Sequence, residues 1–197
     1  MRDHLSIVAA LMILATGPLQ AADSAELESN RRDDVFYSEE EARDRVFGES
    51  LAWQDTVIHV DSSARASLHQ AAGLVESDTV VRIWFVPGDD GVPQVVYRVA
   101  SEVGKHNPFD FLVGLNRERK VEGIVILNYR EARGGDVRRA RFLRQFEGKA
   151  LSDAVSVNRD IIGISGATLS SRAVTRGVRK TLWWVAHLWP EAGEVSR

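Results

Sequence analysis

The chain has 197 residues, a formal net charge of −3 and no cysteine. That charge balance lends nothing to nucleic-acid binding. The missing cysteine excludes disulfides, thiolate catalysis, iron–sulfur clusters and covalently attached c-type haem. Redox work would therefore need an organic cofactor, or a metal held by His and carboxylates.

Met1 to His4 is a short, weakly basic start with Arg2 as its one firm positive charge, and Leu5 to Gly17 is an apolar run. Gly17-Pro18 and the small pair Ala21-Ala22 complete the order of a secretory signal peptide. The run is shorter than the ~20 residues a membrane span needs. The sequence thus predicts a signal peptide over 1–21, cleaved after Ala21 or Ala22, and a periplasmic product. Polar residues 22–34 read as a flexible leader. The remainder suffices for one domain, expected over 35–190, followed by a tail at 191–197.

Ser38 followed by Glu41 is a capping box, and it predicts a helix to about Phe47 with Gly48 as its stop. Asp61 to Ala72 reads as a second helix, capped by Asp61 or Ser62 with Leu68 inward. Thr79 to Val86 is rich in β-branched and aromatic residues, and Gln94 to Val103 reads as its hairpin partner. Phe109 to Leu115 and Val121 to Tyr129 form another predicted strand pair. Asp136 to Phe146 is expected to be one helix with Val137, Phe142 or Leu143, and Phe146 as its apolar positions. A last helix runs from about Leu169 to His187, with Val174, Val178, Leu182, Val185 and Trp189 inward. Arg172, Arg176, Arg179 and Lys180 are expected largely off that face. Strands in the middle and helices at the ends predict an α+β fold, a small, mostly antiparallel sheet backed by helices.

The sharpest local feature is Ile162 to Ser171, where a small-residue loop (Gly163, Ser165, Gly166, Ala167, Thr168) leads into the last helix. Free backbone N–H groups and the positive end of the helix dipole suit such a place to a phosphate. The plainer alternative is a loop whose Ser or Thr caps the helix. It is not a P-loop, because no Gly-Lys-Ser/Thr ending follows.

Ser165-Gly166-Ala167-Thr168, followed by Leu169-Ser170-Ser171, resembles the flavinylation motif of the FMN-binding domain family. That family includes FMN-carrying subunits of the Rnf and sodium-pumping NADH:quinone reductase complexes, and a periplasmic domain of nitrous oxide reductase accessory proteins. Glu131 to Gly135 is similar to the family's loop beside the flavin, matching at Glu131 and Gly134 but not at Ala132 and Arg133. Phe142 to Lys149 resembles the segment that follows, so the ordered likeness extends from about Gly104 to Leu182. The resemblance implies FMN joined through its phosphate to Thr168 by an FAD:protein FMN transferase, and an electron-transfer subunit with a membrane redox partner. One departure stands out. The family's usual acidic residue three places before the motif is here Ile162, and the nearest acid is Asp160. A domain that holds FMN non-covalently, or is vestigial, stays open beside the covalent carrier.

Around that motif, Arg130 and Arg133 are candidates for the phosphate or a reduced, anionic flavin, or are simply solvated. Glu131 is a candidate to orient its loop or bond a ring edge. Arg138, Arg139, Arg141 and Arg144 form a basic flank that suits an acidic partner, anionic headgroups or water. Trp183, Trp184 and Trp189 read as core first, and as flavin-stacking or membrane-interface residues second. The histidines lack ligand spacing, and no dinucleotide fingerprint supports a stand-alone NAD(P)H-dependent reductase.

Overall fold

The computed structural model describes residues 35–48, 51–88, 91–100, 102–131 and 133–189, all within the unit that spans 34–197. The expected signal peptide, the leader and the tail lie outside the described residues, as does Ala132.

Helix α1 (Glu39–Phe47) begins at the predicted capping box: Ser38 Oγ accepts from the Glu41 N–H, and the Glu41 carboxylate accepts from the Ser38 N–H at 2.8 Å. Gly48 ends it in the left-handed conformation. Helix α2 (Ser62–Ala72) is capped by Asp61 and buries Leu68 completely.

Five strands follow one another as an antiparallel meander: β1 (Gln54–His59), β2 (Val80–Val86), β3 (Gln94–Val99), β4 (Phe111–Leu115) and β5 (Val121–Ile126). Strand β1 was not expected. Its side chains alternate between exposed and half-buried at one edge of the sheet, so it lacks the apolar run that marks the inner strands. Strand β4, inside the sheet, is buried throughout. Val95, Tyr97, Val99, Phe111 and Val113 face one layer, and Val96, Leu112 and Trp84 face the other with Ala42 of α1. The fold is α+β, with the sheet between α1 on one face and α2 with the long C-terminal helix on the other.

The single helix expected over Asp136 to Phe146 is instead three pieces. A 3₁₀ turn (Gly135–Arg138) leads into one turn of helix α3 (Ala140–Leu143), and then a second 3₁₀ turn (Arg144–Phe146). Arg139 is extended, at φ −67° and ψ 132°, and breaks the first junction. Val137, Phe142 and Phe146 are all buried as expected, which the broken path achieves without helical continuity.

Helix α4 (Thr168–Leu188) buries the predicted Val174, Val178, Leu182 and Val185, together with Trp183 and Trp184. Trp183 and Trp184 pack edge to face with ring centroids 4.9 Å apart, and both belong to the core. Lys180 departs from expectation. It is 3% exposed, and its Nζ lies 2.7 Å from Glu102 and 3.4 Å from Glu76. Arg176 also reaches Glu102, at 2.8 Å. Apolar periodicity ranks lysine as outward, whereas two buried carboxylates hold this one inside. No described helix is long and apolar enough to cross a membrane.

Candidate functional site

Strands β4 and β5 pair Phe111 with Ile126, so the chain entering β4 and the chain leaving β5 emerge at the same end of the sheet. An Asp110–Asn128 clasp extends the ladder there: the Asp110 N–H donates to Asn128 Oδ1 at 3.1 Å, and Asn128 Nδ2 donates to Asp110 Oδ2. Both side chains are buried, which fixes where the segments 102–108 and 129–134 diverge.

Glu131 is the hub of those segments. Its Oε1 accepts from the consecutive backbone N–H groups of Lys105, His106 and Asn107, the last at 2.9 Å. Asn107 Nδ2 returns a bond to the Arg130 carbonyl at 3.2 Å. Burial pushes the Glu131 carboxyl up, but the three N–H donors outweigh it and hold the group below the ordinary glutamate value. This carboxylate therefore orients the loops, one of the two roles expected for it.

Tyr129 and Ser170 join this hub to α4. The phenol donates to the Arg133 carbonyl at 2.8 Å, so at its 2.8 Å contact with Ser170 it must accept the Ser170 hydroxyl proton. Burial raises the Tyr129 phenol, keeping it protonated for that donation. Gly134, at φ +93°, passes so close that a Cβ there would lie 2.5 Å from the Tyr129 hydroxyl and 2.9 Å from Ser170 Oγ. Only glycine meets both the conformation and the space.

The motif loop arrives from the other side. Ala167 N–H donates to the Ile164 carbonyl across a turn whose third residue, Gly166, sits at φ +77°. Helix α4 then starts at Thr168 with Ala167 as its N-cap, and no side chain caps it. The plain capping alternative for Ser165 or Thr168 thus does not hold. Thr168, Ser165, Gly166 and Leu169 are exposed, whereas Ser170 and Ser171 are buried. Ser171 Oγ locks the loop, accepting from Ile164 N–H at 3.2 Å and donating to the Ala167 carbonyl at 3.0 Å.

The two arginines separate. Arg130 turns to Asp110, 3.9 Å away, and to the Pro108 carbonyl, so it is engaged within the loop framework. Arg133 is exposed, and its guanidinium has no ion pair among the described residues. It lines a depression of about 510 Å³ with Gly134, Gly135, Asp136, Arg138 and Arg139. A Cβ on Gly134 would be 3.6 Å from that of Ala167, so this depression and the start of α4 share a wall.

Asp160 is committed elsewhere. Its carboxylate takes the Lys149 ammonium at 3.0 Å and the N–H groups of Val155 and Ser156 at 3.1 and 2.7 Å. Burial raises this carboxyl, and those donors together bring it below the usual aspartate value. Ile162 is held by Gln145, which accepts from its N–H at 2.8 Å and donates to its carbonyl at 3.2 Å, leaving the side chain 79% exposed. Gln145, Tyr129 and the N–H trio of 105–107 carry no signature in sequence, because their roles are backbone contacts between distant segments. No group of His and acidic residues among the described residues could hold a metal ion.

An uncapped helix start with an unpaired arginine beside it presents the kind of donors that suit a phosphate. Residues 104–182 match the profile of the FMN-binding domain family. The matched segment begins at Gly104 of the Glu131 cradle and ends within α4, so it contains the whole site. No curated protein matches the chain.

Proposed function

We propose that this protein is a periplasmic electron carrier with FMN esterified to Thr168, relaying electrons between a membrane redox system and an acceptor. The observation that carries the reading is Thr168 itself, an exposed hydroxyl on the first residue of a 21-residue helix whose start no side chain caps. The residues present fit FMN. The free N–H groups of the first turn and the Arg133 guanidinium would hold its phosphate, while Gly104 and Gly134 let the flanking loops pack against Glu131, Tyr129 and Ser170 where a Cβ would intrude.

Attachment by an FAD:protein FMN transferase balances simply. Thr168 Oγ1 bonds to the FMN phosphorus of FAD, the pyrophosphate P–O bond breaks, AMP leaves, and the threonine proton passes to solvent. When bound, the flavin supplies one- or two-electron chemistry, while the chain sets its orientation and exposure. Glu131 fixes the loop 105–107, and Ser170 and Tyr129 fix the loop 133–134 against α4. Export rests on the signal-peptide pattern of 1–21.

The test is the intact mass of the mature protein made in the periplasm with an active transferase, followed by peptide mapping. The expected mass is that of the chain plus one FMN less one water, localised to Thr168. Thr168→Val should abolish the adduct and keep the fold, since only a hydroxyl is exchanged for a methyl group. Covalent flavin surviving in that variant would overturn the assignment.

One observation favours a second reading, a non-covalent or vestigial FMN module that serves as a structural or sensing partner of a membrane complex. Ile162 stands where the family's acid would be, and Asp160 is fully occupied by Lys149, Val155 and Ser156. Flavin released wholly by acid precipitation would select it.

A further inference from the structure

The segment 130–144 holds six arginines and two acidic residues, a local charge of +4 in a chain whose net charge is −3. The fold lays this segment alongside the motif loop and ties the two at both ends. At one end Gly134 abuts Ala167 and Ser170; at the other Gln145 grips the backbone of Ile162. The result is one continuous surface. Its apolar part is Ile162 and Leu169, 79% and 45% exposed on either side of Thr168. Its cationic part is the exposed Arg133, Arg138, Arg139, Arg141 and Arg144. Arg141 and Arg144 have no ion pair among the described residues, and Arg139 has only the exposed Asp136, at 2.8 Å.

We infer that this surface is the docking face for an acidic protein partner, which meets the cofactor at Thr168 over Ile162 and Leu169 while the arginines pair with its carboxylates. This rests on the carrier reading above. Exposed apolar residues beside arginines make the composition of a protein interface, in which arginine is enriched. Three of these arginines, Arg133, Arg138 and Arg139, also line a concavity of about 510 Å³. A protruding carboxylate of a protein loop enters such a concavity, whereas a bilayer surface rests on its rim. Opposite charge raises encounter rates, which suits a relay whose contacts must be brief.

The test uses the full mature chain and two probes, a fluorescent polyglutamate peptide and vesicles containing phosphatidylglycerol. Peptide binding is read by anisotropy and vesicle binding by co-sedimentation, from about 20 to 200 mM salt, across which surface charges become screened. Binding of the peptide at low salt is expected, falling as salt rises. Arg141→Gln/Arg144→Gln should weaken it about tenfold. Arg117→Gln/Lys120→Gln, which removes the same charge from the β4–β5 turn at the opposite end of the sheet, should weaken it less than about twofold. Equal loss in both variants, no peptide binding, or vesicle binding without peptide binding would each overturn the inference. These measurements do not need flavin, so they stay readable if FMN fails to load. In loaded protein, oxidation by hexacyanoferrate(III), an anion taking one electron per ion, should slow with salt and slow again in Arg141→Gln/Arg144→Gln. A rate indifferent to both would place the cofactor away from this face and overturn the proposal as well.

Discussion

A carboxylate that accepts three consecutive backbone N–H groups is worth more than a surface glutamate, because each bond is charge-assisted and the donors cannot turn to water together. For Glu131 this sets a direction with pH. Its folded-state value lies below the ordinary 4.5, so the unfolded chain takes up the proton first. The stabilisation is therefore fully present above about 4.5 and is lost as pH falls through the lowered value. Glu131→Gln keeps an acceptor but removes the charge, and should cost about 1 kcal/mol at neutral pH. The gap between wild type and variant, followed by urea unfolding, should close below pH 4.5. Asp160 is depressed in the same window, but it is present in both proteins and cancels from the difference. A gap that persists into acid would show that Glu131 acts by packing rather than by charge.

At the scale of elements, the site is assembled by side chains that bond to backbone across long gaps, and Gln145 is the clearest case. It reads both the N–H and the carbonyl of Ile162, as a neighbouring strand would. Gln145→Leu conserves bulk and removes both bonds. It should cost about 1–2 kcal/mol and raise amide exchange across 162–166, while Gln145→Glu, which can still accept, should fall between. Unchanged exchange in the leucine variant would mean the loop is held by Ser171 and Gly166 alone. The same contrast explains what the sequence made legible. The capping box at Ser38 and Glu41, the helix from Thr168 and four strands are written in local patterns, and all are present. The break at Arg139 is not, because Val137, Phe142 and Phe146 satisfy a helical spacing that the chain reaches by two 3₁₀ turns instead. Nor is strand β1, whose Gln-Asp-Thr start gives an edge strand the look of a loop. Within the site, Thr168, Glu131 and Gly134 were legible through their motif, while Tyr129, Asn107 and Gln145 were not, since each works through a partner more than ten residues away or through main chain.

For the molecule as a whole, the least legible feature is the charge cluster inside it. Lys180, Glu76, Glu102 and Tyr97 are each at most 4% exposed, and they join α4, β3 and the segments before β2 and β4. Tyr97 donates to Glu76 at 3.3 Å, and burial beside that carboxylate drives the phenol well above its ordinary value, so it stays protonated. Glu102 precedes the bridge of Val103 to Pro108, and Arg176 binds both its carboxylate and the Val103 carbonyl. The cluster therefore decides where the loop 104–107 stands relative to the start of α4, and with it the cradle of Glu131. Removing Lys180 leaves the buried Glu76 without its ion-pair partner, while Glu102 keeps Arg176. Lys180→Met should destabilise the fold by about 3–5 kcal/mol. Lys180→Met/Glu76→Gln/Glu102→Gln should recover much of that, because neutral amides keep acceptors for Tyr97 and Arg176 and leave no buried charge unpaired. Urea unfolding with an unchanged m-value would show that both variants shift the stability of the same folded state. If the single variant costs less than about 1 kcal/mol, Lys180 reaches solvent and the cluster is a surface pair. If the triple is no better than the single, shape rather than charge holds the helix to the loop.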